Sequence, residues 1–214
     1  MFHSKIIWQT SLIWSRQRML TNLGRQLLAS VLTSIANFIR WTGISPNLVT
    51  FIGLCFTTVA AAFIVQGQFL VAGIFLLIGG LFDVLDGALA RVAGRASRYG
   101  AFLDSTLDRY SEGIVLFGVL LYYLQRNSRI EVILIYVAIV GSLLVSYTRA
   151  RAEGIHVPCQ VGLFTRAERW ITLVLGLLFD QMLLALWVLA IFSNLTVLHR
   201  IYAVWRATGG ERGG

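Results

Sequence analysis

The chain has 214 residues, 57% hydrophobic and 13% charged, with a mean hydropathy of +0.75; an ordinary soluble domain carries about 25% charged residues. This composition excludes a soluble globular protein and points to an all-α integral membrane protein built as one domain. The formal charge of +8 does not imply a nucleic-acid partner, because the basic residues flank apolar segments instead of gathering on one solvated face, and it reads as loops held against anionic lipid.

Residues 1–44 read as a cytoplasmic N-terminus. It has no compact apolar core before a small-residue cleavage site, so no cleavable leader is expected. Within it, residues 16–41 place Leu20, Leu23, Leu27, Leu28, Val31, Leu32, Ile35 and Phe38 at spacings of three and four, with Arg16, Arg18, Arg25 and Arg40 around them. That pattern predicts an amphipathic helix lying in the membrane interface. Ser45-Pro46-Asn47 ends it: proline forces its predecessor out of the helical region, and a short polar residue there can cap the next helix.

A membrane crossing takes about 20 apolar residues. Residues 48–66, 69–90, 100–125, 131–150, 166–179 and 182–204 read as six such spans, the fifth being short. The expected organisation is therefore a six-helix domain over 45–206 and a cytoplasmic tail over 207–214. Trp41, Tyr122, Tyr123 and Trp205 lie near segment ends, where amphipathic rings favour the headgroup zone. Fifteen of the eighteen basic residues fall on one side of these spans, and Arg126 and Arg129 fall on the other. The positive-inside rule then puts both termini and the Arg-rich loops in the cytoplasm of a multi-pass cell-membrane protein. Cys55 in an apolar stretch and Cys159 in a loop form neither a disulfide framework nor a metal-binding spacing.

Against that apolar background stand Asp83, Asp86, Asp104 and Asp108, each costing several kcal/mol if left charged and unpaired in lipid. The first two are three residues apart and the second two four apart, so each pair shares one helix face. The short connection over 91–99 makes the two helices antiparallel neighbours, and the pairs converge near the cytoplasmic surface. Ion pairs with Arg91, Arg95, Arg98 and Arg109 alone would not require this one-faced convergence. Four carboxylates without nearby histidine or cysteine make a hard oxygen site suited to two Mg²⁺ or Mn²⁺ ions. Gly87, Ala90 and Gly100, in register with the acids, leave room for a ligand or backbone to approach them. Glu112, one turn after Asp108, is read as a neighbour of the site that tunes it or pairs with Arg109, and His156 and His199 as incidental.

Written out, Asp83-x-x-Asp86-Gly87-x-x-Ala90-Arg91, eight residues, Gly100-x-x-x-Asp104-x-x-x-Asp108 resembles the signature of the CDP-alcohol phosphatidyltransferases at every fixed position. The resemblance extends to Pro46, Asn47 and Thr50 and covers nearly the whole chain. It implies that Asp83, Asp86 and Asp104 hold the two metals, with Asp108 at the metal site and acting as general base. It also implies that Asp83, Gly87, Ala90, Arg91 and Gly100 line the CDP pocket, and that the enzyme is a homodimer. The expected reaction moves a phosphatidyl group from a CDP-diacylglycerol-like lipid to a small alcohol, releasing CMP.

For the acceptor, the segment from Ser146 to Glu153 and the Arg166-Ala167-Glu168-Arg169 string resemble those of phosphatidylinositol-phosphate synthases and phosphatidylglycerophosphate-type relatives. Ser146, Arg149, Arg151, Arg166 and Arg169 are the expected contacts to an acceptor phosphate, since arginine forks suit a dianion. Arg149 departs from the lysine often found at its place. Inositol 1-phosphate is favoured, with glycerol 3-phosphate as the alternative. A membrane prenyltransferase fits less well, because its two Asp-rich motifs lie far apart in sequence. A small cation or proton transporter is the non-enzyme alternative, and it would want its carboxylates near the bilayer midplane.

Overall fold

The computed structural model describes residue 34 and residues 45–92, 97–159 and 161–209. The interfacial helix expected over 16–41, and with it most of the expected N-terminal region, lies outside the described residues. Those described from residue 45 onward form six helices and no strand: α1 (Pro46–Val65), α2 (Phe69–Val92), α3 (Arg98–Gln125), α4 (Arg129–Gly154), α5 (Arg166–Leu178) and α6 (Met182–Thr208).

Local chemistry sets where the helices begin. Ser45 is extended, with φ −76° and ψ 146°, and its Oγ accepts the Leu48 amide at 3.3 Å. Pro46 follows in the first turn, where a missing N–H costs nothing. At α3 the Ser97 Oγ accepts the Gly100 amide at 2.9 Å, and at α5 the Glu168 carboxylate accepts the Thr165 amide at 2.8 Å. Tight turns join α1 to α2, α3 to α4 and α5 to α6. Each contains one left-handed residue, Gly67 (φ 76°), Asn127 (φ 55°) or Asp180 (φ 54°), types that tolerate that region best.

Packing among the helices closes a ring in which each touches two others extensively: α1 on α2, α2 on α5, α5 on α6, α6 on α4, α4 on α3, and α3 back on α1. Small residues allow the closest approaches. A Cβ on Gly53 or Gly79 would lie 3.1 Å from the other's carbonyl oxygen, and a Cβ on Gly80 would overlap the Trp170 ring that seats α5 on α2. Ile64, Leu116, Ile135, Leu177, Leu186 and Leu189 are buried inside the bundle. The outward residues are apolar too: Leu70, Ile133, Leu184 and Leu198 are each at least 60% exposed, the pattern of a surface that faces lipid.

The expectation of six spans is met only in part, and a second one changes. Among the described residues, four helices are long and apolar enough to cross a membrane: Pro46–Val65, Phe69–Leu89, Arg129–Gly154 and Met182–Thr208. At 28 residues α3 has the length, but its stretch 98–112 carries Arg98, Asp104, Asp108, Arg109 and Glu112. The 13 residues of α5 extend about 20 Å, which leaves the fifth segment the shortest of the six. The second change concerns the two Asp-bearing helices, which are not packed neighbours. Each leans on α1 instead, and they face one another across a cleft. Like charges on both facing surfaces favour that separation, and it leaves space between the carboxylates.

Candidate active site

Asp83 and Asp86 lie toward the end of α2, and Asp104 and Asp108 near the start of α3. Carboxylate oxygens of Asp83, Asp104 and Asp108 all lie within 4.8 Å of one another. Asp86 stands apart from this trio. It is 5% exposed, turned toward α1, and accepts the Thr50 hydroxyl at 2.5 Å. The four acids thus divide into three that converge and one anchored beside them.

Among the described residues, the cation that forms ion pairs with this cluster comes from α5. Arg166 Nη2 lies 2.8 Å from Asp83 Oδ1 and 2.5 Å from Asp108 Oδ1, bridging α2 and α3. One turn further along α5, Arg169 is 2% exposed and forms a two-toothed pair with Glu112, Nε to Oε1 at 2.7 Å and Nη2 to Oε2 at 2.8 Å. Ser142 of α4 donates to the same Glu112 Oε1 at 2.7 Å. Glu112 therefore does not pair with Arg109, whose Nη1 turns back to the Ser105 carbonyl. The buried Arg169 fork offers both carboxylate oxygens a donor in a site that excludes water, which Arg109 does not.

Residues expected at the CDP end flank the acids. Gly87 is half-buried directly after Asp86, and Gly100 is half-buried in the first turn of α3. A Cβ on Gly100 would stand 3.0 Å from Ser97 Oγ and 3.9 Å from the Asn47 side-chain oxygen, so this corner is filled from α1. Ala90 and Arg91 continue the α2 helix, and their side chains lie outside the described residues.

The expected acceptor-phosphate residues lie on two helices, α4 and α5. Ser146 is half-buried, Arg151 is exposed, and Arg149 pairs with Glu153 on its own helix at 2.9 Å. Arg200, absent from the expected site, is 4% exposed and lies within electrostatic range of Arg149 and Arg169. Its Nε donates to the Val161 carbonyl at 2.9 Å and its Nη1 to the Val145 carbonyl. Its signal was present in the sequence: an arginine inside a predicted span is costly unless it serves a site. His156 and His199 are exposed and do not line the cleft.

The cleft is bounded by Thr50 and Gly53 of α1, Asp83 of α2, Asp108 and Glu112 of α3, and Arg166 of α5. Beside it, a groove along the seam of α2 and α5 is walled by Leu77, Leu81, Val84, Trp170 and Ile171, with Asp83 and Arg166 at its head. An oxygen-only donor set of three mutually close carboxylates fits a hard divalent cation. The whole is an anionic, cation-ready pocket with an apolar annex.

The profile of the CDP-alcohol phosphatidyltransferase family matches residues 43–205. An archaetidylinositol phosphate synthase of Pyrococcus horikoshii is 40% identical over 162 residues, 75% of this chain and 83% of that protein. The crystal structure of Mycobacterium tuberculosis phosphatidylinositol phosphate synthase with CDP-DAG bound superposes with a TM-score of 0.77 at 31% identity, covering 82% of this chain and 94% of that one. The same enzyme in complex with manganese and citrate gives a TM-score of 0.76 at 31% identity, over 81% and 88% of the two chains. The apolar helices, the aspartates and these similarities together make the chain a multi-pass membrane enzyme that belongs to the CDP-alcohol phosphatidyltransferase family.

Proposed function

We propose that the protein transfers the phosphatidyl group of a CDP-diacylglycerol-like lipid to inositol 1-phosphate and releases CMP. The observation that carries this reading is the convergence of Asp83, Asp104 and Asp108 at the head of an apolar groove. A nucleotide-linked pyrophosphate and a lipid tail need those two environments side by side. The names and bound ligands of the similar synthases support the same substrate pair.

Asp83, Asp86, Asp104 and Asp108 are the proposed ligands of two divalent cations, Mg²⁺ or Mn²⁺. Bound there, the ions supply charge neutralisation for the pyrophosphate and for the departing CMP. Asp108 accepts the proton of the acceptor hydroxyl as that oxygen bonds to the lipid-side phosphorus, and the bond from this phosphorus to the CMP oxygen breaks with its electron pair leaving on CMP. No side chain is required as an intermediate nucleophile, so the transfer is direct. Gly87, Ala90, Arg91 and Gly100 are proposed to border the cytidine and phosphates. Ser146, Arg149, Arg151, Arg166 and Arg169 are proposed to hold the acceptor's phosphate, and the buried Arg200 joins that set as a third guanidinium within electrostatic range of Arg149 and Arg169.

The remaining architecture is proposed with it: six membrane passes over 45–206 preceded by an interfacial helix, both termini and the site on the cytoplasmic side, and a homodimer. Loop arginines support the orientation. The test is CMP release by purified protein given CDP-diacylglycerol and Mg²⁺ or Mn²⁺, with inositol 1-phosphate, glycerol 3-phosphate, free inositol and serine offered separately. Release that requires inositol 1-phosphate and stops with chelator is the expected outcome. Release with glycerol 3-phosphate instead replaces the acceptor. Silence with all four, alongside ion flux in proteoliposomes that depends on the aspartates, would move the carboxylates to transport.

A further inference from the structure

Helices α3 and α5 share no extensive packing, and among the described residues α5 rests on α2 and α6. Among the described residues, the polar contacts that span the gap from α5 to α3 are a pair of ionic rungs. Arg166 reaches Asp108 at 2.5 Å, and Arg169 reaches Glu112 at 2.7 and 2.8 Å. Arg169 follows Arg166 by three residues and Glu112 follows Asp108 by four, so each rung is one turn from the other on both helices. The upper rung lies in the proposed catalytic cluster, whereas the lower rung is more deeply set at the cleft wall, with Arg169 2% and Glu112 14% exposed.

The lower rung does not make sense as plain cohesion. A buried ion pair is often no more stabilising than well-packed apolar residues of the same volume, and among the described residues Arg169 Nη1 is buried without a partner. What a two-toothed arginine–carboxylate pair does supply is geometry, because both planes and the axial register of the helices are set at once. Ser142 adds a third direction by tying Glu112 to α4 at 2.7 Å. Apolar side chains across the same gap would allow α5 to slide or turn, carrying Arg166 away from Asp108.

We propose that Glu112 is a positioning residue for the transfer: through Arg169 it fixes the register of α5 against α3, and so holds Arg166 on the carboxylate of Asp108. This rests on the transferase reading above for its kinetic consequence, but not for its structural one. Displacement of a catalytic contact by about 1 Å can lower a rate about a hundredfold. Glu112→Gln, which keeps the shape and removes the charge, is expected to lower turnover on that scale while the CDP-lipid KM stays within about threefold.

The deciding experiment is a double-mutant cycle with Arg166→Ala. If Glu112 acts through Arg166, the double variant turns over no more slowly than Arg166→Ala alone, whereas independent damage would multiply the two losses and overturn the proposal. Should Glu112→Gln not fold, the neutral pair Glu112→Gln with Arg169→Gln removes the isolated buried charge; wild-type turnover in that variant would equally overturn it. A turnover-independent readout places spin labels at the exposed Tyr110 of α3 and Leu175 of α5, with Cys55→Ser. Glu112→Gln is expected to broaden their distance distribution, and an unchanged distribution refutes the register lock. Wild type silent toward every acceptor, with the distribution nevertheless broadened, would sink the transferase reading and leave the lock standing.

Discussion

Asp108→Asn tests the reaction most directly. Asp108 is 9% exposed and faces Arg166 at 2.5 Å, and asparagine nearly matches its volume, so its amide oxygen can still accept from the guanidinium. What asparagine cannot do is take a proton. A positioned general base is worth about 10²–10⁴ in rate, or about 3–5 kcal/mol at about 1.36 kcal/mol per tenfold. Turnover should therefore fall about a thousandfold, while Asp83, Asp86 and Asp104 remain to hold the CDP-lipid and its cations, keeping the lipid KM within about tenfold. Single-turnover CMP release at saturating metal, combined with equilibrium binding of the CDP-lipid, separates the two effects. Turnover within about tenfold of wild type would refute Asp108 as the base.

Thr50→Val preserves shape but removes the hydroxyl that donates to the buried Asp86 at 2.5 Å. The lost bond corresponds to about 1–3 kcal/mol and should raise the divalent-cation requirement about tenfold or more; an unchanged metal titration would argue that Asp86 needs no such anchor. Gly80→Ala forces a methyl into the Trp170 ring, and overpacking of this kind costs about 1–3 kcal/mol. The thermal midpoint in detergent should drop, and an unchanged midpoint would mean that α5 can shift freely off α2. Arg151→Ala should raise the acceptor KM far more than the CDP-lipid KM, and an unaltered acceptor dependence would reduce Arg151 to a charge that sets topology.

Much of the architecture was legible because the physics that encodes it is local. Apolar runs of span length, Ser45 before Pro46, and two Asp pairs at helical spacing are properties of neighbouring residues, and they identified the helices and the acids directly. Partner choice is not local. Nothing near Asp83 or Asp108 in sequence announces Arg166, whose partner Asp83 lies 83 residues away. Arg109 looked the natural mate of Glu112 at helical spacing, yet Arg169 holds it, because burial and a two-toothed fork outweigh proximity along one helix. The acid helices likewise do not pack together as their short connection suggested, since each packs on α1 and a cleft separates them. The sequence by itself determined the helical membrane class and singled out the carboxylates of the candidate site, since periodicity and charge need only the chain. Only the tertiary structure decided which arginine meets which acid and that the buried Arg200 stands near Arg149 and Arg169, because a ring of six helices brings together residues that no spacing relates.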